Sequence, residues 1–154
     1  MALIQALKGF EVLADLSDDD LSKLEAIADP RDFDANGAIF EEKAGAEHLF
    51  LLQEGSVELT MTRARDNEPI TTDTIGPGEV FGWSALTEPA EYTARAAARE
   101  KTRTLALHGG RLRALFEANP AIGYSVMSRL APVIGRRLRG LRQKFIAVPT
   151  ATWA

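Results

Sequence analysis

No cysteine occurs in the chain, which excludes disulfide staples, thiolate metal sites and a cysteine nucleophile and suits a protein kept in a reducing compartment. Histidine is almost as scarce. His48 and His108 lie far apart with no H-x-H pair, so the clustered ligands of a mononuclear metal enzyme are not expected. There is neither a G-x-S-x-G elbow nor a G-x-x-x-x-G-K-[ST] phosphate loop. The N-terminal MALIQALKGF is too weakly apolar for a signal peptide, and no apolar run approaches the roughly 20 residues that cross a bilayer. Together these absences point to a cytoplasmic protein with no metal, no membrane span and no enzymatic chemistry.

Acid is missing from one region only. Residues 1–118 hold 12 basic and all 22 acidic side chains, whereas residues 119–154 hold six basic side chains and no acid. A basic tail of this kind serves either as a surface for nucleic acid or an acidic partner, or as arginines that solvate one helix face and lie against the acidic body of a neighbour. The net charge of −4 repels a phosphate backbone and favours the second. Too few residues follow Phe145 for a helix-turn-helix module, so sequence-specific DNA reading is not expected.

A hydrophobic share of 45% and a charged share of 26% over 154 residues suit one domain, 1–146, with a frayed tail at 147–154. Its N-terminal part, 2–28, reads as short helices. In SDDDLSKLEAIA, Ser17 can cap orphan amides, Asp18, Asp19 and Asp20 favour the positive end of the helix, and Leu21, Leu24 and Ile27 repeat at helical spacing. From Phe33 the pattern becomes short apolar runs: AIFEE, HLFLLQEGSVELTMTRA, EPITTDTIGPGE, YTARAAA and TRTLALH. Turn signals at Asn36-Gly37, Glu54-Gly55, Asp66-Asn67 and Gly76-Pro77-Gly78 separate them. Regularly spaced strands of this kind imply an antiparallel jelly-roll β body over 33–108. Helices over 110–146 follow, a short one ending near Asn119-Pro120 and a long one that Pro132 either opens or kinks. The fold class is therefore α+β, mainly β.

In the last helix Met127, Ile134 and Leu141 recur every seven residues, as do Ala131, Leu138 and Phe145. This pattern predicts a coiled-coil seam and a homodimer, with Arg136, Arg137, Arg139 and Arg142 flanking it.

The order of these elements resembles the cyclic nucleotide-binding domain family, which includes the bacterial cAMP receptor protein. Gly45, Leu51, Leu52, Gly55 and Val57 match the family's first hairpin. Gly76, Gly78, Phe81, Gly82, Ala85 and Leu86 match its phosphate-binding cassette, here residues 76–99. The resemblance implies a regulatory module with no cofactor other than the nucleotide it senses. It places ligand contacts at Gly82, Trp83, Ser84, Ala85, Tyr92, Thr93 and Ala94. Trp83 stands where the family has the glutamate that accepts from the ribose hydroxyl, and Tyr92 where it has the arginine that pairs with the cyclic phosphate. Losing two charge-assisted hydrogen bonds costs roughly 3–6 kcal/mol, or two to four decades of affinity. Cyclic AMP or cyclic GMP binding is therefore expected to be lost or altered, and Ser84 and Thr93 are left as neutral donors. Arg95 lies an odd number of residues from Tyr92, so a regular strand points it to the opposite face. Two readings compete with this one: a working sensor of a cyclic nucleotide or another small anion that acts on a partner protein, and a dimeric protein-interaction scaffold with a purely structural cassette.

Overall fold

The computed structural model describes residues 2–146, with side chains from 3 to 144. Two short helices begin the chain, α1 (Ala2–Leu7) and α2 (Asp18–Glu25), with a single 3₁₀ turn at Glu11–Leu13 between them. The start of α2 is a full capping box. The Ser17 hydroxyl accepts from the Asp20 amide at 3.2 Å, and the Asp20 carboxylate accepts from the Ser17 amide at 3.4 Å.

Eight strands follow: β1 (Ala28–Phe33), β2 (Ala38–Phe40), β3 (His48–Glu54), β4 (Val57–Thr62), β5 (Pro69–Ile75), β6 (Val80–Phe81), β7 (Arg95–Ala98) and β8 (Thr102–His108). They form two antiparallel sheets, in the orders β1-β8-β3-β6 and β2-β7-β4-β5. The β body thus begins at Ala28, five residues before the start read from the sequence. β1 (ADPRDF) is an edge strand with no fully buried side chain, so it carries no apolar alternation, and its place is fixed by pairing along β8 from Ala28 with Leu107 to Phe33 with Thr102.

The apolar run HLFLLQ becomes β3, which is buried on both faces. Leu49 and Leu51 join Leu105 and Leu107 of β8 under the helices, while Phe50 and Leu52 meet Val57, Ile75 and Phe81 between the sheets. Two-sided burial explains a run with no alternation in it.

Helix α3 (Gly109–Ala118) and helix α4 (Pro120–Ile146) complete the fold. α3 starts one residue before the expected 110, because His108 is the cap and its ring Nδ1 accepts from the Arg111 amide. α4 runs through Pro132 as one helix. The proline is exposed, so the Ser128 carbonyl it deprives of a partner is left on the water-facing side. Ile122, Val126, Leu130 and Val133 of α4 pack into the core beneath the β body.

The basic tail lies on the chain's own acidic body. Arg129 holds Asp15 through two 2.8 Å contacts, and Arg136 holds Glu11 at 3.0 Å. The charge asymmetry is thus partly cancelled within one chain.

Candidate functional site

The cassette opens at Gly82, whose φ of 81° lies in the left-handed region. A β-carbon there would sit 3.0 Å from the His48 carbonyl and 3.2 Å from the Phe50 ring, so glycine serves both for the turn and for the close approach. One 3₁₀ turn, Trp83–Leu86, follows, with the Ala85 amide spent on the Gly82 carbonyl. Helix α3 crosses directly over it, and Arg113 donates to the Ala85 carbonyl at 2.7 Å.

The two aromatic substitutions have different surroundings. Tyr92 is 5% exposed and lies in a small cluster with Ala46 and Ala85. Its ring stacks on Phe40 at 3.6 Å between centroids and an interplanar angle of 8°. Its hydroxyl donates to the His48 carbonyl at 2.7 Å and accepts from the His48 amide at 3.2 Å. Burial pushes the phenol above its usual pKa, partly offset by the hydrogen bonds to the backbone of His48.

Trp83 instead lines a cavity of about 240 Å³ between the β body and α4. Leu59 and Met61 of β4 and Thr72 and Asp73 of β5 form one wall, and Thr93 and Ala94 stand with Trp83 on the cassette side. The helix supplies Ile134, Arg137, Leu138 and Leu141. Of the seven sequence-predicted contacts, Trp83, Thr93 and Ala94 face this cavity. Gly82, Ser84, Ala85 and Tyr92 shape the turn and fill the space beside it. Ser84 is buried, and its carbonyl accepts from the amide and the hydroxyl of Thr87.

Arg95 does point away. It pairs with Glu41 at 3.1 Å on the outer surface of β7.

The guanidinium that does enter the cavity is Arg137. Its side chain is 11% exposed, its Cζ lies 4.9 Å from the centroid of the Trp83 ring, and Asp73 and Glu79 stand 3.4 and 3.8 Å from its nitrogens. Both Nη1 and Nη2 are buried and have no hydrogen-bond partner among the described residues. Burial lowers the guanidinium's pKa, with Asp73 and Glu79 opposing. In the sequence Arg137 reads as one of four arginines flanking a seam. The available signal was its spacing, three residues after Ile134 and four before Leu141, which puts it on their face of the helix.

Of the seam residues, Ile134 packs partly on the core and lines the cavity with Leu138 and Leu141. Tyr124 (78% exposed), Met127 (41%) and Leu138 (45%) form the outward apolar stripe, with exposed Ala131 between them. The side chain of Phe145 lies outside the described residues, as does the tail that holds Trp153.

His48 and His108, distant in sequence, face each other across β3 and β8 with ring centroids 5.4 Å apart. Arg31 Nη2 sits 3.2 Å from His48 Nε2. Among the described residues no group of three histidine, cysteine or acidic side chains is placed to hold a metal ion. None of the described helices is long and apolar enough to cross a membrane.

This glycine-framed turn between two antiparallel sheets, closed by a long helix, defines a ligand-sensor type of domain, and comparison agrees. The model of the cyclic nucleotide-binding domain matches residues 30–119, more than half of the chain, and the chain belongs to that family. It is similar to the cyclic AMP receptor protein of Thermus thermophilus, at 35% identity over 66% of this chain and 44% of that protein. It spans less than half the length of the curated relatives it matches. Among solved structures, a candidate cyclic nucleotide-binding protein from Geobacter metallireducens aligns with a TM-score of 0.78 and 33% identity, covering 90% of this chain and 99% of that one. The Thermus thermophilus catabolite activator protein aligns at 0.74 and 27%, covering 88% of this chain and 61% of that one.

Proposed function

We propose that this domain is a non-enzymatic regulatory sensor whose pocket no longer grips a cyclic nucleotide by charge. One observation carries the reading: the cassette presents Trp83 to the cavity and stacks Tyr92 into the protein, while Arg95 is tied to Glu41 outside. A cyclic phosphate entering the cassette would meet no cassette guanidinium. Isothermal titration with cAMP and cGMP is expected to give no binding below the millimolar range, and a micromolar dissociation constant for either would overturn the reading.

The output we infer is a change in how α4 lies on the β body. The cavity walls belong to both, so an occupant contacts helix and sheet together and favours whichever packing accommodates it. Exposed Tyr124, Met127 and Leu138 along α4 support a homodimer through this helix, since three large apolar side chains in one stripe are costly to leave in water. Sedimentation equilibrium is expected to give twice the chain mass, and Leu138→Glu to give the monomer. A monomeric mass for the unaltered protein would end the dimer part of the reading and leave the pocket untouched.

A further inference from the structure

The fork of Arg137 poses a specific chemical problem. Guanidinium donors in a protein interior are normally hydrogen-bonded, and an unmade bond there costs the full desolvation of the donor. Here Nη1 and Nη2 are buried at the wall of a cavity with no partner among the described residues, although two carboxylates stand close by. Asp73 Oδ2 is 3.4 Å from Nε, and Glu79 Oε2 is 3.8 Å from Nη2. Glu79 is also committed through Oε1 to the Gly76 amide at 2.8 Å, and Asp73 through Oδ1 to the Thr74 amide at 2.9 Å. The remaining charges nearby are occupied elsewhere: Lys144 donates to the Thr71 and Thr72 carbonyls, and Arg136 pairs with Glu11. The positive charge of Arg137 is therefore already matched twice within 4 Å, yet its hydrogen-bonding capacity is not filled.

These two facts select a ligand. An anion would satisfy the fork but would add a third negative charge beside Asp73 and Glu79. An aliphatic molecule would match Leu59, Met61, Leu138 and Leu141 but leave the fork empty. A neutral group with a carbonyl acceptor next to an N–H donor answers both, because its carbonyl takes the Nη donors while its N–H faces an aspartate that can only accept.

We propose that the Arg137–Trp83 cavity takes a small, flat, uncharged ligand with a primary-amide or lactam edge, and that Arg137 is the residue that discriminates against the corresponding acid. The proposal rests on the altered-sensor reading above and names the ligand chemistry of the same pocket.

Benzamide and benzoate form the test pair, since they share a shape and differ in charge and in the N–H donor. The full chain, with the Trp83 indole N–H assigned through a Trp153→Phe variant, is titrated with each up to tens of millimolar and followed by two-dimensional NMR. Benzamide is expected to give a saturable shift of the Trp83 signal, with benzoate at least about tenfold weaker. Arg137→Met, which keeps the stem of the side chain, is expected to abolish the benzamide response. Arg137→Lys, which keeps the charge without the planar fork, should weaken it about tenfold.

Benzoate binding as well as benzamide would overturn the proposal, as would unchanged benzamide binding by Arg137→Met, or no saturable shift with either compound. Should Arg137→Met fail to fold, Arg137→Lys and the acid–amide comparison still decide. A parallel cAMP titration separates the two readings. Silence of all three compounds removes this inference alone, whereas micromolar cAMP binding removes the reading beneath it.

Discussion

Tyr92 and Trp83 are both aromatic side chains at cassette positions where a charge was expected, and the molecule uses them in opposite ways. Tyr92 lies within a closed end of the cassette, with a ring against its face and a hydroxyl engaged on both sides by one backbone residue. Trp83 faces an open space, and a cation from another element covers its ring. Replacing a charge by an aromatic therefore does not by itself fill a pocket. What decides is whether other parts of the chain close around the ring. β2 supplies Phe40 to Tyr92, whereas α4 leaves a gap before Trp83.

The contrast can be broken most directly by truncation. Tyr92→Ala is expected to cost about 3–5 kcal/mol in urea unfolding, since it removes a buried ring from a packed site. Tyr92→Phe should cost about 1–3 kcal/mol, by leaving the His48 amide and carbonyl without the hydroxyl. A loss under about 1 kcal/mol for the alanine variant would mean that Tyr92 is no plug. Trp83→Ala should be milder, about 1–2 kcal/mol, because the ring is only partly buried and its cation–π contact is a modest contribution. Equal losses at the two positions would erase the distinction.

The smallest expected effect is a pH dependence at the closed end. Burial, then Arg31 and His108, lower the pKa of His48 below its ordinary 6.5. The unfolded chain binds that proton first as pH falls, so the stability His48 contributes is complete above about pH 6.5 and is lost as pH drops towards the folded value. NMR titration of the His48 ring should therefore show a midpoint below 6.5. His48→Gln should flatten the loss of stability on acidification, and a midpoint at or above 6.5 would remove this account.

Much of the fold was legible in local pattern. Turn residues fixed the hairpin corners, with Asn36 and Asn67 at φ 69° and 58° and Gly55 and Gly78 at 102° and 88°. The capping residues of α2 and the unbroken apolar run of β3 likewise carry their own explanation. β1 was illegible because an edge strand with no fully buried side chain needs no apolar alternation. The candidate site was half legible. The glycine framework marked the turn, and Arg95 was placed outside it by strand parity, but Ser84 and Tyr92 turned inward where the chain between β6 and β7 follows no regular period. Arg137 was read only as a flank of the seam, and Asp73 and Glu79 on β5 and the turn after it were not singled out, since a charge reads as solvated until something is packed against it.

By itself, then, the sequence determined the turns and the jelly-roll class from residue type and local pattern, and its resemblance to the family placed Trp83 and Tyr92 where that family has a glutamate and an arginine. Only the tertiary structure decided which aromatic closes the site and which lines it, and that a guanidinium reaches the pocket from α4. Those outcomes depend on contacts between residues far apart in the chain, 54 positions in the case of Trp83 and Arg137, where local spacing carries no information about distance.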